Sequence, residues 1–72
     1  MRRCFLSPRQ LEVLDAIRQG ETSPMVARRL KISPRTVDQY VADSCTRLEV
    51  RNRTQAVAKA MQQGLIGQPD RL

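Results

Sequence analysis

The sequence predicts an all-α domain built around a helix-turn-helix, on three observations. Ser-Pro pairs stand at Ser7-Pro8, Ser23-Pro24 and Ser33-Pro34, apolar residues recur between them at helical spacing, and no segment alternates like a strand. A serine before a helix accepts a hydrogen bond from an orphan N–H of the first turn, and a proline after it presets φ. The pairs at Ser23 and Ser33 lie so close together that the helix opened by the first must end almost at once and give way to another. That succession is the pattern of a helix-turn-helix.

Four helices follow in order. Ser7 caps the first, over residues 8–19, and Gln10 stands where it can complete a capping box; Leu11, Val13, Leu14 and Ile17 give the apolar face and Gly20 the left-handed stop. Ser23 opens the second, over 24–30, whose inner face is Val26, Ala27 and Leu30; Lys31 marks the turn and Ile32 docks it on the core. Ala27 is small where two steeply crossed helices approach. Ser33 opens the third, over 34–48, with Val37, Val41 and Leu48 facing inward against Leu11, Leu14, Ile17, Ala27, Leu30 and Ile32. Asn52, with Gln55 three residues on, caps the fourth, over 54–63, which ends at Gly64. Residues 1–66 therefore make one domain, and 67–72, with Gly, Pro and Asp and little to bury, a frayed tail. Arg2 and Arg3 form a short basic arm that could touch DNA or hang free.

With 72 residues the chain has one modest core and little room for an elaborate active site. Its formal charge of +6, from 13 Lys and Arg against 7 Asp and Glu, is carried almost wholly by arginine, the side chain best suited to phosphate. Phe5 and Tyr40 are the two aromatic residues, too few to stack single-stranded bases, so duplex DNA is the expected target. Histidine is absent and Cys4 and Cys45 lack metal-ligand spacing, so neither a metal nor a cofactor is expected, and both cysteines read as reduced thiols. There is no organised carboxylate pair and no nucleophile beside a base, which argues against an enzyme. No apolar run reaches the roughly 20 residues of a membrane span and nothing resembles a signal peptide, so a cytoplasmic protein is expected.

The stretch Leu6-Ser7-Pro8-Arg9, then Glu12-Val13-Leu14, Gly20, Val26-Ala27, Leu30, Ile32-Ser33, Thr36-Val37, Leu48, Val50, Asn52-Arg53, Ala56-Val57 and Gly64-Leu65-Ile66 resembles the LuxR-type, or NarL/FixJ/GerE-type, DNA-binding domain. Arg53-Thr54-Gln55-Ala56-Val57-Ala58-Lys59-Ala60 looks most like the quorum-sensing branch. The resemblance implies a four-helix domain whose third helix enters the major groove and whose fourth pairs with its copy in a dimer. Such domains usually stand behind a receiver or ligand-binding domain. This chain begins a few residues before the domain, so it resembles the minimal, stand-alone regulators of the family or a piece cut from a longer one.

Several positions depart from the family pattern. Where Thr-Val-Lys-x-His is common, Thr36-Val37-Asp38-Gln39-Tyr40 stands here. Asp38 could accept from cytosine N4 and Gln39 could pair with adenine, or Asp38 could simply be a first-turn acid favoured by the positive end of the third helix. Ser44 replaces a buried isoleucine-like residue, which predicts a bond back to an earlier carbonyl and a looser seam. Gln10 and Met25 replace glutamates, and Glu49 replaces glycine in the turn before the fourth helix.

Base edges are assigned to Asp38, Gln39, Ala42 and Asp43, the outward stripe of the third helix, and Ala42 can meet only a thymine methyl. Phosphates are assigned to Arg28, Arg29, Arg35, Thr36, Tyr40, Arg51 and Arg53, with Tyr40 offering either its hydroxyl to DNA or its ring to the core. In the fourth helix Val57, Ala60, Met61 and Gly64 share one side and Thr54, Ala58 and Leu65 another. One side packs inward, and a dimer interface is expected among Thr54, Val57, Ala58, Met61 and Leu65. The expected function is sequence-specific regulation of transcription by a homodimer on DNA, weakly associated or monomeric in solution. The rival is an interaction module that heterodimerises with larger LuxR-type regulators and inhibits them; RNA polymerase is a further candidate partner.

Overall fold

The computed structural model of the protein describes residues 6–67, which fold into α1 (Pro8–Arg18), α2 (Ser23–Leu30), α3 (Pro34–Leu48) and α4 (Arg53–Gln62), with no strand among them. The basic arm at Arg2 and Arg3, Cys4, and the tail beyond Gly67 lie outside the described residues. No described helix is long and apolar enough to cross a membrane.

Each helix starts on a side-chain cap. Ser7 and Gln10 form the full capping box of α1: the Gln10 N–H donates to Ser7 Oγ at 3.2 Å and the Ser7 N–H to Gln10 Oε1 at 2.8 Å. Ser33 caps α3 by accepting from the Thr36 N–H at 3.1 Å. Asn52 caps α4 by accepting from the Gln55 N–H at 2.9 Å, while the Gln55 side chain reaches past it to the Arg51 N–H at 2.8 Å.

The expected cap of α2 is corrected. Thr22, extended at φ −85° and ψ 166°, is the N-cap, its Oγ1 accepting from the Met25 N–H, and Ser23 is already the first helical residue. Two neighbouring hydroxyls compete for the cap, and the choice of Thr22 still leaves Pro24 in the first turn, where its missing N–H costs nothing. Ser23 is thereby left free to bond elsewhere. The other shifts are of one residue: α1 stops at Arg18, and α4 begins at Arg53 and stops at Gln62.

All four helices close the same way. The N–H groups of Glu21, Ile32, Val50 and Leu65 each donate five residues back, to the carbonyls of Ala16, Ala27, Cys45 and Ala60, at 2.8–3.1 Å. The residue before each donor has positive φ: Gly20 at 97°, Lys31 at 62°, Glu49 at 60° and Gly64 at 73°. The turn geometry that glycine usually provides is thus kept at Glu49 without glycine.

The core lies on both sides of α1 and α3. One cluster joins Leu14 of α1 and Leu48 of α3 with Ala56 and Ala60 of α4, Leu6 and Ile66. The other joins Val13 and Ala16 of α1 with Val26 and Ala27 of α2 and Val37 and Val41 of α3. Val37, Val41, Leu48, Leu14 and Ala27 are buried as expected, whereas Leu11, Ile17, Leu30 and Ile32 are half-buried at the margins. The small residues Ala16, Ala56 and Ala60 are fully buried within these clusters. Ser44 is buried, and its hydroxyl donates to the Tyr40 carbonyl at 2.8 Å, as a serine in a helix interior is expected to do.

Candidate nucleic-acid interface

α3 packs on each of the other three helices and still presents one full side to solvent. At about 100° per residue, Val37, Val41, Ser44 and Leu48 fall on one side of the helix, and Arg35, Gln39, Ala42 and Thr46 on the opposite side. Asp38 and Asp43 lie at the two edges of this outward face, about 140° apart around the axis. The stripe named from the sequence is therefore not one row of equivalents: two of its members are central, and two are acids at the rims.

Both acids are engaged. Asp38 Oδ1 accepts from Ser23 Oγ at 2.8 Å and from Arg53 Nη2 at 3.4 Å, and the same guanidinium nitrogen lies 3.4 Å from Ser23 Oγ. Three helices meet in this group. On the other rim, Asp43 Oδ2 accepts from Arg47 Nε at 2.9 Å and from Gln10 Nε2. Gln10 is only 4% exposed, its oxygen is committed to the α1 cap, and its amide nitrogen can serve Asp43 because it is not a glutamate. The centre of the face, Arg35, Gln39, Ala42 and Thr46, thus carries one cation and no anion.

The candidate phosphate residues divide by their present partners. Arg28, Arg35 and Arg51 are exposed and form no ion pair with a described residue. Arg29 is held in a fork by Glu21, at 3.0 and 3.1 Å, and Arg53 is held by Asp38. Arg28 and Arg29 line a shallow hollow of about 370 Å³ on the outer side of α2, with Met25 and Glu21. The Thr36 hydroxyl lies 2.9 Å from Ser33 Oγ within the α3 cap, and Tyr40 is half-buried, packed against the margin of the valine cluster. Cys45, between the two clusters, has its thiol pKa raised by burial, an effect that the nearby Arg53 guanidinium opposes. A protonated, half-buried thiol is a packing group here.

In α4 the inward side centres on Ala56 and Ala60, which corrects the grouping of Ala60 with Met61 and Gly64. Thr54, Ala58 and Met61 are exposed, Met61 at 45%, while Val57 and Leu65 are half-buried against the first cluster. They leave a shallow stripe of small and flexible side chains beside the packed face. Sequence reasoning passed over Thr46, on the outward face of α3, and Ser23, whose role as a cap seemed sufficient.

Comparison with known proteins agrees with this architecture. The family model described as bacterial regulatory proteins, luxR family, matches residues 5–60. The quorum sensing-dependent transcriptional regulator RpaR of Rhodopseudomonas palustris is 41% identical over 66 residues, which are 92% of this chain and 27% of that protein. The transcriptional regulatory protein FixJ of Bradyrhizobium diazoefficiens is 33% identical over 61 residues, 85% of this chain and 30% of that protein. The chain therefore spans under a third of the length of these relatives. Among solved structures, the transcription factor GerE superposes with a TM-score of 0.85 at 24% identity, covering 92% of this chain and 97% of that one, a likeness of fold. The response regulator ChrA of a haem-sensing two-component system superposes with a TM-score of 0.82 at 38% identity, covering 92% of this chain and 33% of that one.

Proposed function

The chain belongs to the luxR family of bacterial regulatory proteins, and from that premise we propose that it binds duplex DNA through α3 and regulates transcription. The observation that carries this reading is the outward face of α3, with Arg35, Gln39, Ala42 and Thr46 at its centre and both flanking acids already bonded. A helix of this breadth enters the major groove, where Gln39 can take adenine N6 and N7 and Ala42 a thymine methyl. Asp43, tied to Gln10 and Arg47, approaches DNA only at the rim. Arg28, Arg35 and Arg51 are the first phosphate ligands, Arg29 joins if a phosphate displaces Glu21, and Arg53 can add a phosphate through guanidinium nitrogens other than the Nη2 that holds Asp38. The hydroxyls of Thr36 and Tyr40 are further candidates.

Pairing of α4 with a second copy along Thr54, Ala58 and Met61, flanked by Val57 and Leu65, would place two recognition helices in half-sites about 10 bp apart. The same stripe could receive a longer relative, and RNA polymerase could meet the surfaces that DNA leaves open. The protein is assigned to the cytoplasm, on the nucleoid when bound.

Titration of duplex binding against salt tests the proposal. With about 6 phosphates engaged, affinity should fall about 10³-fold between roughly 50 and 200 mM salt. Absence of duplex binding at the lower concentration would overturn the DNA-binding reading and leave the interaction module in its place.

A further inference from the structure

We propose that Asp38 selects cytosine and that Ser23 and Arg53 are the positioning residues that aim its carboxylate; the proposal rests on α3 facing duplex DNA. Asp38 stands at the edge of the outward face nearest the starts of α2 and α4, with its side chain 60% exposed. Both hydrogen bonds, from Ser23 Oγ at 2.8 Å and Arg53 Nη2 at 3.4 Å, fall on Oδ1, and Oδ2 accepts none from a described residue. Ser23, Asp38 and Arg53 close a triangle, since the Arg53 nitrogen also meets Ser23 Oγ. A surface aspartate ordinarily wanders among rotamers. Here one oxygen is tethered from two helices, which leaves the other presented to solvent in a narrow range of directions.

The tether also answers the electrostatic objection to an acid on a DNA-facing helix. The Arg53 guanidinium beside the carboxylate offsets its repulsion of the phosphates, while Oδ2 keeps its capacity to accept. An acceptor-only group in the major groove can meet two donors, cytosine N4 and adenine N6. Adenine N6 is flanked by N7, an acceptor that repels a carboxylate, whereas cytosine N4 is flanked by a carbon-bound hydrogen. Guanine O6 and N7 and thymine O4 repel the carboxylate outright. The family's usual lysine at this position, a donor without an acceptor, would have the opposite preference.

Enrichment of bound sequences from a pool of random duplexes, using the full chain, tests both parts. The wild type should enrich cytosine about tenfold over guanine and thymine at one position of each half-site. Asp38→Ala should abolish that preference and leave the remaining positions as they were. Asp38→Asn keeps an acceptor for Ser23 and Arg53 and adds a donor, so it should move the preference toward adenine. Ser23→Ala and Arg53→Lys should weaken the cytosine preference several-fold at that position alone. If the wild type enriches a site and both Asp38 variants return the same base frequencies, Asp38 is a strut between helices and the proposal falls. If Asp38 proves selective but Ser23→Ala and Arg53→Lys leave its preference untouched, the positioning roles fall. If the wild type enriches no sequence, DNA reading itself fails and this proposal with it.

Discussion

Gln10 performs three bonds that glutamate could not perform together. Its oxygen accepts from the Ser7 N–H, its backbone N–H donates to Ser7 Oγ, and its amide nitrogen donates to Asp43 on α3. Gln10→Glu would preserve the capping box but bury a second carboxylate against Asp43, so it should destabilise the fold by about 1–3 kcal/mol. A urea midpoint unchanged in Gln10→Glu would show that the link to Asp43 contributes nothing. Asp43→Asn on the Gln10→Glu background should restore part of the loss, because the new amide can donate to the glutamate. On the outward face, Gln39→Ala should relax preference at one base pair and cost about 1–3 kcal/mol there, whereas Arg35→Ala should weaken all sequences alike and lower the salt slope by about 1. Competition binding with single-base variants of the selected duplex checks both expectations. Equal losses on all duplexes for both variants would remove Gln39 from the reading face.

Helix ends are where the sequence was most legible. The caps at Ser7, Ser33 and Asn52 depend on a hydroxyl or amide reaching a backbone N–H three residues on, a relation written in adjacent letters. Ser23 misled because Thr22 has the same chemistry one residue earlier; Thr22 takes the cap, and the Ser23 hydroxyl donates to Asp38, fifteen residues away. The inward side of α4 was less legible for another reason: alanine reads as neutral in any apolar pattern, so nothing in the spacing marked Ala56 and Ala60 as the residues that the fold buries. The four helix endings share one design, but two of them place a branched-at-nothing, long side chain in the left-handed region at Lys31 and Glu49. Such residues cost roughly 1–2 kcal/mol there relative to glycine, part of which glycine returns through its freer unfolded chain. Lys31→Gly and Glu49→Gly should each therefore raise stability, by about 0.5–1 kcal/mol, with the helix content unchanged. A lower denaturation midpoint for Glu49→Gly would mean that the glutamate makes a compensating interaction.

At the scale of the molecule, α3 belongs to both core clusters and also supplies the outward face, so folding and the presentation of that face cannot be separated. Dimerisation, by contrast, would draw on a stripe the fold does not need: Thr54, Ala58 and Met61 are exposed beside the buried alanines. Met61→Asp should leave the melting curve of the monomer nearly unchanged and convert binding on a two-half-site duplex from a dimeric to a monomeric stoichiometry, read by sedimentation. Retention of the dimeric complex would place the subunit contact elsewhere. The division around α3 has a consequence for how such a protein changes over generations. Val37, Val41, Ser44 and Leu48 bear the fold, while Arg35, Gln39, Ala42 and Thr46 touch nothing that the core requires. On the proposed reading, Gln39, Ala42 and Thr46 form a rewritable address: a lineage could drift there from one operator to another without passing through an unfolded intermediate, and duplicated copies could part company in what they regulate while remaining the same scaffold.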